Sequence, residues 1–462
     1  MILINKKIDE LKNEIIKTTI DLVKVKSVAK ETEGEFPYGK DVAELLKLTL
    51  EKCEELGFKT KNLDNYVGYA EIGEGEDYVV ALGHLDVVPE GEGWKFPPYS
   101  GEISDGYIYG RGTADDKGPI VAALYGAKAI KDLGLKLNKR IRIVFGTSEE
   151  IGGSDIHHYL KYEKAPVFGF TPDAEFPIIN GEKGIIDFDL VKDVDTSKEE
   201  NVIEYFKGGS AVNVVPNFAE CKIITNNLDN IENILNKFNQ SNDRKVEFTK
   251  SENTIVITAK GKNAHGSTPE LGENAIMTLF KSLENINFGK ETNDFIKFVN
   301  ENIGYELNGE KFGVGLSDEV SGKLTLNVGI VDFNKDKLEI KINLRYPVTK
   351  KYDDVMDVVI DKTKDENIGV FGISHDAPLY FSKDSELIKK LQKVYSEQTG
   401  KEAKLISIGG GTYAKEIPNT VAFGPLFPGE PECIHMPNEK ISIENLIDCA
   451  KIYGNALYEL AK

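Results

Sequence analysis

The sequence predicts an α/β fold that is interrupted by an inserted α+β domain. In the first 180 or so residues, helix-like segments alternate with short apolar runs at 77–83, 139–146 and 167–170 that have the character of buried strands. Each run ends directly before an acidic or histidine-containing motif. This is where a ligand site is expected in an open α/β sheet, beyond the carboxyl ends of the strands.

The amino-terminal segment is predicted to be an amphipathic helix, because Ile8, Leu11, Ile15 and Leu22 share one helical face with Ile16 and Thr19. Charged residues interrupt it too early for a signal peptide or a membrane span. No other stretch reaches the roughly 18 apolar residues that a membrane span requires. We therefore expect a soluble cytoplasmic protein with no membrane association.

The middle of the chain has a different pattern. Alternating strands at 253–259 and 337–345 are mixed with a helix-like stretch at 273–283, which indicates an α+β unit. The chain then returns through a helix-like stretch at 383–399 and a triple-glycine loop to His435. The predicted domains are a discontinuous catalytic domain, residues 1–184 and 381–462, and an inserted lid domain, residues 185–380.

Composition excludes some classes of partner. The net charge is −19 with a pI near 5.0, which argues against a nucleic-acid ligand, since phosphate binding needs a concentrated Lys/Arg surface. The four cysteines are far apart and form no Cys-x-x-Cys pair, so reduced thiols are expected. Cys433 lies two residues before His435 and could bind metal, but an isolated cysteine is more often a small buried apolar residue.

His84 and Asp86 stand two residues apart at the end of a predicted strand, so their side chains leave on the same face. One can bind a metal while the other orients the metal-binding side chain, although the pair alone is more typical of an ordinary turn at the end of a strand. Asp115 and Asp116 precede an apolar helix and would ordinarily cap it. A carboxylate can also bridge two cations, and only one of these two is expected to do so.

Glu149 and Glu150 follow the second strand, and as adjacent residues they point in different directions. We infer that Glu150 binds metal and that Glu149 holds water as a general base. Asp173 follows the third strand as a further carboxylate ligand. Each motif alone could be an acidic turn, but with His435 the set supplies two ligands for each of two metals plus a bridging Asp115. Histidine and carboxylate ligands without clustered cysteines are typical of catalytic sites.

These motifs together resemble those of a known family. The stretches Gly-His-Leu-Asp-Val-Val-Pro, Gly-Arg-Gly-Thr-Ala-Asp-Asp-Lys-Gly, Thr-Ser-Glu-Glu and Thr-Pro-Asp-Ala-Glu are similar to the signature of the dinuclear zinc peptidases. That family includes aminoacylase, acetylornithine deacetylase, carboxypeptidase G2 and carnosinase. Within it the chain resembles the bacterial PepV-type dipeptidases, on the evidence of residues 91–94, 172–181 and 409–413 and the length of the insert.

The resemblance implies a mixed-sheet zinc-peptidase catalytic domain with helices on both faces, together with the α+β lid. The metal ligands that it implies are His84, Asp115, Glu150, Asp173 and His435. The implied catalytic residues are Glu149, Asp86 and His265, with His265 stabilising the oxyanion; Asn213, Arg345, Gly410 and Gly411 would bind substrate. His157, His158 and His375 match no motif and are expected at the surface.

The expected function is a metal-dependent dipeptidase that hydrolyses short peptides with a free amino terminus, using metal-activated water and Glu149. An N-acyl amino acid deacylase or a carboxypeptidase of the same family is the alternative. A non-enzymatic binding protein is disfavoured by the presence of Glu149 and His265. Two divalent metal ions are expected; zinc fits the ligand types, and manganese or cobalt fits nearly as well. The resemblance also implies a monomer whose lid closes on a small peptide substrate.

Overall fold

The computed structural model describes residues 2–197 and 199–462. The helices in this part of the chain are α1 (Ile2–Val23), α2 (Lys40–Glu55), α3 (Lys117–Asp132), α4 (Asp155–Tyr162), α5 (Leu228–Ser241), α6 (Ala275–Leu283), α7 (Lys290–Asn302), α8 (Asp353–Lys364), α9 (Glu386–Thr399) and α10 (Ile443–Ala461). None of these helices combines the length and the apolar character that crossing a membrane would demand.

The strands alternate with the helices along the chain. They are β1 (Lys59–Leu63), β2 (Val67–Ile72), β3 (Tyr78–His84), β4 (Glu102–Ser104), β5 (Tyr107–Tyr109), β6 (Arg140–Gly146), β7 (Phe168–Thr171), β8 (Ala174–Glu175), β9 (Ile178–Glu182), β10 (Gly184–Asp193), β11 (Asn201–Gly208), β12 (Val214–Val215), β13 (Phe218–Thr225), β14 (Val246–Ser251), β15 (Thr254–Lys260), β16 (Ala264–His265), β17 (Ser317–Asp318), β18 (Gly322–Lys323), β19 (Thr325–Phe333), β20 (Lys337–Tyr346), β21 (Gly369–Asp376), β22 (Leu379–Tyr380), β23 (Leu405–Ile408), β24 (Thr420–Ala422), β25 (Pro425–Leu426) and β26 (Lys440–Ser442).

The chain divides into two compact units. The first comprises Met1–Asn180, Phe381–Ile406 and Gly411–Lys462, and the second comprises Gly181–Tyr380 and Ser407–Gly410. The second unit therefore begins a few residues before the predicted insert and also takes in four residues of the triple-glycine region. Each unit has its own hydrophobic core.

The first unit is built on a mixed sheet with the strand order β1-β2-β6-β3-β7-β24. The central strand β3 pairs in parallel with β6 and β7, whereas β1, β2 and β6 pair antiparallel. Alternate residues of β3 enter different apolar clusters: Val79 and Ala81 pack with α3 and α10, while Val80 and Leu82 pack with α4. The predicted α/β class, with a mixed sheet and helices on both faces, is thus confirmed.

The predicted amphipathic helix at the amino terminus is also present. Ile4, Ile8, Leu11 and Ile15 are buried on one face of α1, at the three- and four-residue spacing that places side chains together. The helix packs against α3 and α10. These three helices cover one face of the sheet that carries the candidate site.

The second unit contains an antiparallel sheet with the strand order β14-β15-β13-β11-β19-β20-β10-β21. Strand β10 alternates buried and partly exposed residues, with Ile186, Phe188 and Leu190 facing the core. The helices α5, α6, α7 and α8 contribute the remaining core side chains. This is an α+β arrangement, with one face of the sheet covered by helices.

Candidate metal centre

The first unit brings the predicted ligands to one edge of its mixed sheet. His84 is the last residue of β3, and Asp173 lies two residues beyond the end of β7. Glu149 and Glu150 form a 3-10 turn just after β6. Because β3, β6 and β7 are parallel, their carboxyl ends lie side by side, and the side chains that follow them converge. Asp115, just before α3, and His435, between β25 and β26, complete the group.

The carboxylate of Asp115 lies between two imidazoles. Its Oδ1 atom is 2.9 Å from Nε2 of His84, and its Oδ2 atom is 2.9 Å from Nε2 of His435. Nε2 of His84 is also 3.8 Å from Oδ2 of Asp173, and Nε2 of His435 is 3.1 Å from Oε2 of Glu150. Asp115 therefore presents one oxygen to each imidazole, with Asp173 beside His84 and Glu150 beside His435.

Glu149 belongs to the same cluster. One ligand atom from each of His84, Glu149 and Asp173 lies within 4.8 Å of the others, and the same holds for His84, Asp115 and Glu150. The His84 side chain is fully buried, whereas the His435 side chain is 52% exposed. The cluster is therefore anchored in the protein on one side and reachable from solvent on the other.

The electrostatics of the cluster reflect crowded acidic groups. Burial, reinforced by the charges of Asp115 and Glu150, raises the pKa of Glu149 to about 8. Burial and the charges of Asp115 and Glu149 also raise the pKa of Asp173 well above its usual range. Burial alone would raise the pKa of Asp115, but hydrogen bonds to His435 and His84 outweigh it and lower that pKa. Like charges held this close in a buried site oppose one another's ionisation.

The pKa values of the two imidazoles are also raised, and for an imidazole this shift favours the charged form. Hydrogen bonds to Asp115 and Glu150 raise the pKa of His435 to about 10. Burial opposes the charged form of His84, but hydrogen bonds to Asp115 and Asp86 raise its pKa well above 6.5. Protons thus balance the negative charge here, and a divalent cation would do the same once it displaced them. Imidazole nitrogens and carboxylate oxygens are donors that suit zinc and related cations, so the residues fit a pair of divalent metal ions.

Asp86 supports the cluster from behind. Its Oδ1 atom accepts a hydrogen bond from the backbone N–H of Glu149 at 3.2 Å, and its Oδ2 atom accepts one from Glu150 at 3.1 Å. Nδ1 of His84 lies 3.0 Å from the backbone oxygen of Asp86 and 3.4 Å from its Oδ1 atom. Asp86 is fully buried and thereby orients three members of the cluster.

Two expectations about neighbouring residues need correction. Asp116 occupies the N-cap position of α3, but its side chain makes no capping hydrogen bond with the described residues of that helix. Instead, its Oδ2 atom accepts a hydrogen bond from the backbone N–H of His84 at 3.3 Å. His158 is not a simple surface residue, because its ring stacks on Tyr66 at 4.2 Å and its side chain is only 14% exposed.

The other two histidines that match no motif, His157 and His375, are exposed. His157 is 70% exposed at its side chain. His375 lies on exposed strand β21, where its Nε2 atom is 2.8 Å from the hydroxyl group of Tyr346. All four cysteines are free thiols, and three of them are buried. The Sγ atom of Cys433 is directed to the backbone oxygen of Lys440 at 3.4 Å.

The second unit brings several predicted substrate-binding residues together. His265 pairs with Val214 across the β12–β16 ladder, next to Asn213, whose backbone oxygen accepts a hydrogen bond from Gly266 at 2.7 Å. Nδ1 of His265 lies 2.6 Å from Oγ of Ser267. These contacts place His265 and Asn213 on adjoining segments at one small two-stranded antiparallel sheet.

Arg345 is held by an ordered polar network in the same unit. Its Nε atom donates to Oδ1 of Asn343 at 3.0 Å, and Nη1 donates to the backbone oxygen of Gly409. Asn343 in turn donates to Asp187 at 2.6 Å. Gly410 belongs to this unit, whereas Gly411 belongs to the first.

Several buried groups that support the metal centre were not predicted from the sequence. They are Arg111, Asp155, Tyr413 and Glu439, each no more than 1% exposed. Arg111 and Tyr413 lie inside motifs noted from the sequence, and Glu439 lies four residues after His435. Proximity to a motif was the only available signal, because a buried role for a charged side chain depends on contacts between distant segments.

The fold and this cluster define a metallohydrolase built on an α/β sheet. Residues 80–459 match the model of peptidase family M20/M25/M40. The chain belongs to this family, which confirms the expected peptide-bond hydrolase and the resemblance to the dinuclear zinc peptidases. The family assignment covers most of both units.

Curated relatives match almost the full chain. A Bacillus subtilis protein named "Putative dipeptidase YtjP" is 40% identical over 456 residues and covers 98% of each chain. A Staphylococcus epidermidis protein named "Putative dipeptidase" is 35% identical over 463 residues, again covering 98% of each chain. The resemblance therefore extends over the insert as well as over the metal-site motifs.

Solved structures share the fold at low sequence identity. Human carnosine dipeptidase 1 matches with a TM-score of 0.57 at 15% identity, covering 99% of this chain and 98% of the other. Aminoacylhistidine dipeptidase from Vibrio alginolyticus matches with a TM-score of 0.59 at 17% identity, covering 96% of each chain. These likenesses concern the fold.

Proposed function

We propose that this protein is a dipeptidase that uses two divalent metal ions to hydrolyse short peptides with a free amino terminus. The observation that carries the proposal is the position of Asp115, with one carboxylate oxygen beside His84 and the other beside His435. One cation would be held by His84, Asp115 and Asp173, and the other by Asp115, Glu150 and His435. Two cations in such a site polarise a carbonyl group and lower the pKa of water.

Glu149 has the role of general base in this proposal. Its carboxylate lies in the cluster with His84 and Asp173 but is not needed to complete either ligand set. A nearby carboxylate can accept a proton from the attacking water and pass it to the nitrogen of the departing amino acid. Burial and the charges of Asp115 and Glu150 raise the pKa of Glu149, so its carboxylate is a stronger base than that of an exposed glutamate.

Asp86 assists the reaction without touching the reacting atoms. It accepts hydrogen bonds from the backbone N–H groups of both Glu149 and Glu150. It thereby keeps the general base and a metal ligand in fixed and different directions. Such support around the ligands is a common requirement of metal sites.

Substrate recognition is assigned to the second unit, which the proposal treats as a lid. The guanidinium group of Arg345 is buried. Burial lowers its pKa, although the charges of Asp187 and Asp376 oppose this shift. A planar guanidinium group suits the carboxylate of a short peptide. His265 would stabilise the oxyanion, while Asn213, Gly410 and Gly411 would contact the peptide. The hydrogen bonds from Arg345 to Asn343 and Gly409 would hold its guanidinium group in place for the substrate carboxylate.

The proposal favours zinc, with manganese or cobalt as alternatives, because the donors are imidazole nitrogens and carboxylate oxygens. We also propose that the protein is a monomer and that it is located in the cytoplasm. Four free cysteines, three of them buried, are in keeping with a reducing compartment. Light scattering tests the monomer, and a dimeric mass would contradict it.

Two substrates that differ only at the amino end of the peptide test the substrate class. The relatives that are 40% and 35% identical carry dipeptidase names, which favours a free amino terminus over an N-acyl group. The protein would be stripped with a chelator, reconstituted with zinc or manganese, and assayed with an unblocked dipeptide and with its N-acetylated form. Cleavage of the unblocked peptide alone is expected. Cleavage of the acetylated form would indicate a deacylase, and activity without added metal would contradict the mechanism.

A further inference from the structure

The side chain of Glu439 contacts the loop that carries the predicted bridging ligand. Glu439 is fully buried and lies four residues after His435. Its Oε1 atom accepts hydrogen bonds from three backbone N–H groups: Gly112 at 3.0 Å, Ala114 at 3.0 Å and Asp115 at 3.3 Å. One carboxylate oxygen therefore shapes the turn that leads into Asp115.

The other oxygen of Glu439 is held by a buried arginine. Oε2 accepts a hydrogen bond from Nη1 of Arg111 at 2.7 Å, and Arg111 is 1% exposed. Nη2 of Arg111 donates to the backbone oxygens of Pro89 at 3.3 Å and Glu90 at 3.4 Å. The pair therefore joins the segment after His84, the loop that carries Asp115 and the loop that carries His435.

Strand pairing already holds two of these segments together without the Glu439 side chain. Strand β26 pairs antiparallel with β5, beginning at Lys440 opposite Tyr109. The backbone N–H of Gly110 also donates to the backbone oxygen of Glu439 at 2.9 Å. The additional effect of the Glu439 carboxylate thus falls on the turn from 112 to 115, beyond the end of the ladder.

We infer that Glu439 and Arg111 are positioning residues that hold Asp115 and His435 in the geometry needed to retain both metal ions. The inference rests on the metal-binding part of the proposed function. A buried charged pair is costly unless its remaining hydrogen-bonding capacity is satisfied. Here three backbone amides donate to Oε1 of Glu439, and backbone oxygens accept from both Nη atoms of Arg111, whereas Nε of Arg111 has no hydrogen-bond partner among the described residues. Removing the carboxylate charge would leave the turn free to rearrange and Arg111 without its buried partner.

The test compares E439Q with a matched control, E71Q. Glutamine preserves the size of Glu439 but places an amide where Arg111 needs a negatively charged acceptor. Glu71 is also paired with arginines, at 2.7 Å from Nη1 of Arg140 and 2.8 Å from Nη2 of Arg142, away from the metal centre. The same chemical change there disturbs a buried ion pair without touching a loop that carries ligands.

Purified wild type and variants would be loaded with zinc or cobalt, and metal content would be measured by mass spectrometry. The rate of metal transfer to a chelator and the visible absorption of the cobalt-loaded proteins would also be measured. E439Q is expected to lose metal about 10- to 100-fold faster than wild type, as for other groups that support ligands, and to show an altered cobalt spectrum. E71Q is expected to retain metal at the wild-type rate.

R111K provides a second variant, which keeps a positive charge but cannot contact Glu439, Pro89 and Glu90 with one planar group. If E439Q does not fold, R111K tests whether the pair of Glu439 and Arg111 is needed to retain the metal ions. Wild-type metal retention and cobalt spectra in the folded variants would overturn the inference while leaving the proposed function intact. Failure of the wild type to bind two metal ions would overturn the proposed function and this inference with it.

Discussion

Tyr413 donates a 2.5 Å hydrogen bond from its hydroxyl group to Oδ2 of the buried Asp155. The same oxygen accepts the backbone N–H groups of Thr147 at 2.6 Å and Ser148 at 3.0 Å. Asp86 accepts the next two N–H groups along the chain. Two buried carboxylates therefore bind four successive amides of the loop that presents the general base and one metal ligand.

Replacing Tyr413 with phenylalanine should weaken this support. Tyr413→Phe removes one donor to a buried carboxylate while leaving the ring in place, so we expect a loss of about 2 kcal/mol in the free energy of unfolding. Denaturant titration by circular dichroism measures this loss. The control is Tyr162→Phe, at a side chain that is 58% exposed and should tolerate the change. Equal stabilities for both variants would contradict the assigned role of the hydroxyl group.

The number of bound metal ions should depend on which carboxylate is removed. Asp115→Ala should abolish binding of both ions, because each oxygen of Asp115 faces a different imidazole. Asp173→Ala should remove one ion, because Asp173 lies beside His84 and belongs to only one of the two proposed ligand sets. Mass spectrometry of desalted protein provides the ion counts. Retention of two ions by Asp115→Ala would rule out a bridging role.

Replacing Glu149 should lower the rate of catalysis without changing the amount of bound metal. Glu149→Gln keeps the side-chain size but cannot accept the proton, and we expect kcat to fall by about 10²- to 10⁴-fold. Metal content should remain at the wild-type value, since neither proposed ligand set needs Glu149. Hydrolysis of an unblocked dipeptide and metal analysis on the same preparation test this pair of outcomes. Nearly full activity in the variant would exclude Glu149 as the general base.

Helices α3 and α10 approach closely at two glycines. A Cβ atom added at Gly126 would lie 2.7 Å from both Cα and N of Gly454, which are backbone atoms that cannot rotate away. Gly126→Ala should therefore lower the free energy of unfolding by about 1 to 3 kcal/mol through overpacking. A Cβ atom at Gly454 has its nearest contact at 3.0 Å, so Gly454→Ala should cost less. Calorimetry of both variants would reveal whether this order holds.

Thiol labelling should distinguish the four cysteines. Burial raises the pKa of Cys53, Cys221 and Cys449, and a thiol that is both buried and protonated reacts slowly. In the native protein we expect a disulfide reagent to label Cys433 ahead of the other three, which should react only after denaturation. Mass spectrometry of the labelled peptides identifies the sites. Rapid native labelling of Cys221 would contradict the packing of the second unit.

Much of the fold followed from local pattern. The apolar runs at 77–83, 139–146 and 167–170 correspond to β3, β6 and β7, since a short apolar run bounded by polar turns has few alternatives to a buried strand. The short strand β24 was not predicted, because three residues carry too little pattern. It nevertheless pairs in parallel with β7 and extends the sheet.

The sequence by itself determined the protein's class, the positions of its main strands and the set of candidate ligands, because those depend on residue type and short spacing. Only the tertiary structure decided how Asp115 divides its oxygens between His84 and His435, and that Glu439 binds Arg111, 328 residues away. Such contacts depend on strand order and on side-chain direction at buried positions. Neither is encoded in the spacing of residues along one segment, so both emerge only when distant segments pack together.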